Sequence, residues 1–118
     1  VYDAEPAETI AMSSENLSAV LAGMHDLATG GAVSQYFKNC IVDAAAKTGT
    51  IQTGDTKNNN GAFVCFAPYD DPQIAVAIVI EKGGSGAALA STAVQVLNAY
   101  FSNTSASSAI TGENTLLG

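Results

Sequence analysis

Ile74-Ala75-Val76-Ala77-Ile78-Val79-Ile80 is the longest apolar run in the chain. Its β-branched residues favour an extended backbone, and seven residues fall far short of the roughly 20 that a membrane-spanning helix needs. As a strand it places Ile74, Val76, Ile78 and Ile80 on one side and Ala75, Ala77 and Val79 on the other. Both faces are apolar, so the strand calls for cover above and below, and the pattern predicts a sheet sandwiched between helices.

Upstream of this strand, Pro68-Tyr69-Asp70-Asp71-Pro72 reads as a tight turn and residues 62–67 as a second strand. The polar stretch Asp55-Thr56-Lys57-Asn58-Asn59-Asn60-Gly61 reads as a hairpin loop, and residues 40–52 as a strand interrupted by small residues. Three strands joined by short turns form an antiparallel meander, the third running from Gln73 to Glu81.

Helical spacing appears on both sides of the meander. Ser13 or Ser14 can cap a helix whose first turn carries Glu15 and whose stripe is Leu17, Val20, Leu21, Met24 and Leu27, with Gly30-Gly31 as its stop. The lead-in before it contains Glu5-Pro6 and is non-helical, and residues 35–37 read as a short turn of helix or a connector. After the flexible turn Lys82-Gly83-Gly84-Ser85-Gly86, a second helix is predicted over 87–101, with Leu89, Ala93, Val96, Leu97 and Tyr100 facing the core. Residues 102–118 are dominated by Ser, Thr, Ala, Asn and Gly and predict a poorly ordered tail. The expected class is α+β: a three-stranded antiparallel meander with an N-terminal and a C-terminal helix in one unit, residues 1–101.

The charge balance narrows the partners. Four basic against 11 acidic residues give a formal net charge of -7, which argues against nucleic acid, whose phosphates are neutralised by clustered Lys and Arg. Neither a membrane anchor nor a signal peptide is read in these 118 residues. Cys40 and Cys65, with a distant His25, are too few for a structural zinc site, so neither metal nor cofactor is expected. The two cysteines read as buried reduced thiols, with a disulfide as the alternative. His25 reads as a helix-surface histidine, general-base chemistry being the alternative. Ser14-Glu15-Asn16 matches Ser-x-Asn, a pattern that positions a proton-shuttling hydroxyl in some serine acyltransferases, but its place at a helix start assigns it to capping.

Lys47-Thr48-Gly49-Thr50 is the stretch that carries chemistry. A lysine beside two threonine hydroxyls can hold a carboxylate through charge-assisted hydrogen bonds. Gly49 leaves the strand bare, so a substrate peptide can lie against it and pair with its backbone as an added strand. A Lys-Thr-Gly on a strand, followed by a hairpin to the next strand, is one of three signatures of penicillin-binding proteins and related β-lactamases. The succession from Ala45 to Gln52, then Gly61 to Pro72, then Ile74 to Glu81 resembles the last three strands of the penicillin-binding protein transpeptidase domain. The segment around Met12, Leu17, Gly23 and Met24 resembles the helix before them, so the likeness covers about residues 10–101.

The resemblance implies a partial β-lactamase/transpeptidase-like fold and a place in a serine D,D-transpeptidase of the bacterial cell wall. It implies Lys47, Thr48, Gly49 and Thr50 as the substrate-binding wall, with the Thr50 backbone N–H as one half of an oxyanion hole worth about 3 kcal/mol. The implied partners are a peptidoglycan stem peptide ending in D-Ala-D-Ala and, in the full protein, β-lactams. The implied location is the extracytoplasmic face of the bacterial cell membrane. The sequence departs from the family where glycine commonly precedes Lys-Thr-Gly, where an aromatic stands in place of Ala62, and where glycine stands in place of Cys65. These departures touch pocket shape and not residues 47–50.

Ser-x-x-Lys does not occur. The positions three before Lys38, Lys47, Lys57 and Lys82 hold Gln35, Ala44, Gly54 and Val79, so no nucleophile is assigned and the chain alone is expected to be inactive. An apolar strand edge at 74–80 without a neighbour is a template for pairing, which predicts a homodimer through that edge or an exchange of the C-terminal helix. Two other readings are kept open: a β-lactamase or β-lactam sensor of the same fold, and a non-catalytic peptide-binding or structural module.

Overall fold

The computed structural model describes residues 5–54 and 59–113. Helix α1 spans Ser14–Thr29, a single turn α2 spans Ser34–Phe37, and three strands follow: β1 (Ala45–Ile51), β2 (Asn60–Ala67) and β3 (Ile74–Ile80). A 3₁₀ turn at Gly86–Leu89 leads into helix α3, Ala90–Glu113.

Ser13 caps α1, its hydroxyl accepting from the Asn16 N–H at 3.2 Å, and Glu15 occupies the first turn. Of the two candidate serines, Ser13 is the cap, and Ser14, also read as a cap from the sequence, is instead the first helical residue. The helix closes at Gly30, whose N–H donates to the Asp26 carbonyl. The extended lead-in ends as the sequence indicates, but β1 begins at Ala45 and not at Cys40. Residues 40–44 instead form an irregular approach held by α3: Asn98 accepts from the Ile41 N–H and donates to the Asn39 carbonyl, both at 2.9 Å. A backbone already bonded to a side chain is not available to a ladder.

The sheet has the order β1-β2-β3 with both pairings antiparallel. Lys47 stands opposite Val64, Thr48 opposite Phe63, Gly49 opposite Ala62 and Thr50 opposite Gly61. The Ala67-Pro68 peptide is cis, and the Gln73 N–H returns to the Ala67 carbonyl at 2.9 Å to close the β2–β3 turn. The expected 55–61 loop lies largely outside the described residues; Asn60 and Gly61 belong to β2.

One face of the sheet carries the core. Ala46, Phe63, Cys65 and Ala67 pack with Leu89, Ala90, Ala93 and Leu97, flanked by Ile74, Val76 and Ile78. Ala28 of α1 and Val33 join from the other end. Alanine at 90 and 93, both fully buried, lets α3 approach the strands closely.

Of the two-sided cover expected for β3, the described residues supply one side. Val64, Ala75, Ala77 and Val79 are exposed, Val79 at 64%, so the second apolar face of β3 has no cover among the described residues. The same holds for much of α1, whose Leu17 and Val20 are exposed while Leu21, Met24 and Leu27 are half-buried. On α3 the core side is Ala90, Ala93, Val94 and Leu97; Val96 and Tyr100, expected inside, are about two-fifths exposed. α3 also continues beyond Phe101 to Glu113, where the composition predicts a tail from residue 102. Thr104 and Ser105 satisfy their hydroxyls on the carbonyls of Tyr100 and Phe101, four residues back, which lets polar residues sit in a helix. Residues 114–118 lie outside the described residues.

Candidate functional site

Among the described residues β1 is an edge strand, paired on one side only. Which groups face the other side follows from the register and from one close approach. The carbonyl oxygens of Gly49 and Ala62 both lie against the point that a β-carbon on Gly86 would occupy, the Gly49 oxygen at 2.5 Å and its nitrogen at 3.0 Å. Gly49 therefore turns both backbone groups toward β2. In an antiparallel ladder alternate residues turn the opposite way, so the N–H and C=O of Thr48 and Thr50 face outward from the free edge. The Lys47 ammonium donates to the Thr48 carbonyl at 2.9 Å, on that same edge.

The pleat separates the side chains expected to act together. Lys47 and Gly49 project to the open face, whereas Thr48 and Thr50 project to the face that α3 covers. Lys47 and Thr50 are exposed and Thr48 is half-buried. The ammonium and the two hydroxyls thus meet around the strand edge and not on either face.

A second cluster, missed by sequence reading, lies beyond the other end of β1. His25 Nε2 is 2.9 Å from both carboxylate oxygens of Asp43, and its ring stacks on Tyr69 with centroids 4.2 Å apart. The Tyr69 N–H donates to the Asp43 carbonyl at 3.0 Å, closing a ring of contacts between α1, the approach to β1 and the β2–β3 turn. Only the helical register of His25 hinted at this, since its partners follow 18 and more residues later. Nearby, a cavity of about 290 Å³ between α1, α2 and the approach to β1 is lined by Ser34, Lys38, Cys40 and Asp43 among others. It is lined by no residue of the Lys47–Thr50 stretch.

Cys40 and Cys65 are both free thiols. Burial pushes the Cys65 thiol up to about 11, with Cys40 adding to the effect. Burial likewise raises Cys40, partly offset by a backbone hydrogen bond from Val42 and reinforced by Asp43. Neither has thiolate character at neutral pH. Among the described residues no three His, Cys, Asp or Glu side chains are grouped to hold a metal ion. No helix among them is long and apolar enough to cross a membrane.

A family model described as the penicillin binding protein transpeptidase domain matches residues 2–101. The chain belongs to that family. The peptidoglycan D,D-transpeptidase MrdA of Escherichia coli (strain K12) is 33% identical over 92 residues, which cover 64% of this chain and 14% of the relative. Penicillin-binding protein 2A of Bacillus subtilis is 32% identical over 85 residues, covering 64% of this chain and 12% of the relative. Among solved structures, PBP2 of Pseudomonas aeruginosa in complex with WCK 5153 superposes with a TM-score of 0.70 at 31% identity, over 85% of this chain and 23% of that one. PBP2 of Helicobacter pylori in complex with MreC gives 0.70 at 25% identity, over 77% and 18%. The three-stranded sheet and its helices are thus part of the penicillin-binding protein fold, and the chain spans a small share of the length of the relatives it matches.

Proposed function

We propose that this chain is the C-terminal wall of a peptidoglycan D,D-transpeptidase, in which Lys47, Thr48, Gly49 and Thr50 bind the substrate while the serine nucleophile comes from elsewhere in the parent protein. The observation that carries the reading is the free edge of β1, along which the outward backbone groups of Thr48 and Thr50 lie beside the Lys47 ammonium. An extended stem peptide ending in D-Ala-D-Ala adds to that edge as a further strand. Its terminal carboxylate is held by Lys47 and the threonine hydroxyls around the edge. The Thr50 N–H donates to the oxyanion that forms when the serine attacks the penultimate carbonyl.

Gly49 supports this reading from the opposite direction. A β-carbon there would meet only Ala62, its Cβ at 3.4 Å and its carbonyl oxygen at 3.7 Å, both ordinary contacts, so the fold itself does not demand glycine. A peptide at the edge pairs with Thr48 and Thr50, and glycine between them keeps bulk off the adjoining open face. The same fold with faster access of water to the acyl-enzyme is a β-lactamase or β-lactam sensor, and the relatives named as D,D-transpeptidases favour the transpeptidase. The location that follows is the extracytoplasmic face of the bacterial cell membrane.

With no Ser-x-x-Lys in the sequence, the chain alone forms no acyl-enzyme. By itself it leaves the apolar β3 edge and the Val64–Val79 face open, and we assign to the isolated chain a homodimer built on residues 74–80 or an exchange of α3. Intact-mass spectrometry of the chain and of the parent, each incubated with a β-lactam, tests the functional reading. An adduct on the parent and none on the chain is expected. An adduct on the chain would refute the missing nucleophile, and none on either would leave a non-catalytic module.

A further inference from the structure

Gly86 lies outside the motif stretch, 36 positions after Thr50, at the start of the 3₁₀ turn. It is buried, and its backbone presses on the sheet at the Gly49–Ala62 pair. A β-carbon at 86 would overlap the Ala62 carbonyl oxygen outright and stand 2.5 Å from the Gly49 oxygen and 3.0 Å from the Gly49 nitrogen. All three neighbours are backbone, so none can swing aside as a side chain would. Gly61, opposite Thr50, completes the contact: a β-carbon there would meet the Gly86 nitrogen and the Ser85 carbonyl carbon, each at 3.3 Å.

Two glycines, Gly61 of β2 and Gly86 of the 3₁₀ turn, therefore let the backbones of β1, β2 and the turn touch where the substrate-binding edge begins. β1 is an edge strand with a ladder on one side only, so its outward groups are located by that ladder and by whatever presses on the sheet face. The turn is itself anchored: Ser85 caps it by accepting from the Ala87 N–H at 3.2 Å, and Leu89 is buried beneath α3. The contact falls on the Gly49 peptide, whose carbonyl carbon is bonded to the Thr50 nitrogen. Any displacement there moves the Thr50 N–H directly.

We propose that Gly86 is a positioning residue for the acyl-transfer reaction: its backbone, packed on Gly49 and Ala62, sets the location of the Thr50 N–H. The proposal rests on the transpeptidase reading above. Because an oxyanion donor acts on the developing charge and not on the resting amide, displacing it slows bond formation more than it weakens binding. A misplacement approaching 1 Å costs up to about 100-fold in rate.

The test uses the full-length parent and the kinetics of acylation by a β-lactam, resolved into the pre-covalent dissociation constant and the acylation rate constant. Gly86→Ala is expected to lower the rate constant at least about tenfold with the dissociation constant little changed. Ser85→Ala, at an exposed position, removes only the cap of the turn and is expected to act in the same direction by a smaller factor. Gly23→Ala, on α1 with open space around it, is expected to change neither. A folded Gly86→Ala that acylates at the wild-type rate overturns the proposal, as does one that loses binding with its rate constant intact. If Gly86→Ala does not fold, Ser85→Ala decides, and an unchanged rate constant there overturns it. A wild-type parent that is never acylated removes the transpeptidase reading and the Gly86 role together. A normally acylated wild type beside an indifferent Gly86→Ala removes the Gly86 role alone.

Discussion

His25 and Asp43 are joined side chain to side chain, with Nε2 2.9 Å from each carboxylate oxygen, and Tyr69 stacks on the imidazole. The pair ties α1 to the approach to β1, two residues before the strand begins. Asp43 is half exposed, which screens the charge, so the pair contributes only about 0.2–1 kcal/mol. His25→Ala removes both the contact with Asp43 and the stack and is expected to cost about 1 kcal/mol in the parent protein. His25→Phe keeps the stack and costs less. A double-mutant cycle with Asp43→Ala in urea separates the two; equal losses for both His25 variants would assign the whole effect to the contact with Asp43.

Asn98 is expected to matter more than its place on a helix suggests. It bonds two backbone groups of the solvent-accessible 39–41 approach, so Asn98→Leu removes two hydrogen bonds and costs about 0.5–1.5 kcal/mol. Denaturant unfolding would measure this, and a loss under 0.5 kcal/mol would mean that water replaces the amide.

The Cys65 thiol gives stability a pH dependence of known sign. Its folded-state value of about 11 lies above the ordinary value of 9.0, so the folded state holds the proton more tightly. The contribution is complete below about pH 9 and is lost as pH rises through about 11. Unfolding midpoints measured from pH 8 to pH 11 should therefore fall, and Cys65→Ala should flatten the part of the slope due to this thiol. Iodoacetamide at pH 8 should modify half-buried Cys40 before fully buried Cys65.

Gly49→Ala separates fold from function. The 3.4 Å approach to Ala62 accommodates a methyl group, so stability should change by about 0.5 kcal/mol or less. β-Lactam acylation of the parent should fall at least about tenfold if a substrate lies along that backbone. Unimpaired acylation would show that the open face of β1 is not approached.

The dimer assigned to the isolated chain is tested on the same ladder logic. Because Gly49 and Ala62 face each other, the backbone groups of Ala75, Ala77 and Val79 turn away from β2 toward the free edge of β3. Ala77→Pro deletes an outward N–H and leaves the β2–β3 bonds in place. Sedimentation should show a dimer for the natural sequence and a monomer for Ala77→Pro if the edge mediates it. A dimer in both would point to α3 exchange, and a monomer in both would rule out self-association.

The order of elements, the three strands, the turn at 68–72 and the start of α1 are legible in the sequence because each rests on local chemistry, whereas α3 begins at Ala90, behind a 3₁₀ turn, and not at Ala87. Ser13 caps whatever helix follows it, and a run such as Ile74–Ile80 is extended wherever it is placed. The Lys47–Thr50 motif is legible for the same reason, being contiguous. What local patterning misjudges is which apolar face is covered: Leu17, Val20 and Val79 have the right spacing for a core and stand exposed, because periodicity marks a face and says nothing of what lies against it.

Tertiary structure alone decided the rest. The side of β1 on which the Thr48 and Thr50 backbone groups lie, the pleat that parts Lys47 from the threonine hydroxyls, the clasp of His25 with Asp43 and Tyr69, and the seat of Gly86 on Gly49 all depend on register and packing between segments far apart in the chain. A glycine reads alike in a flexible turn and beneath an edge strand. The difference lies in what its missing β-carbon would strike, and that is fixed only when the strands are in place.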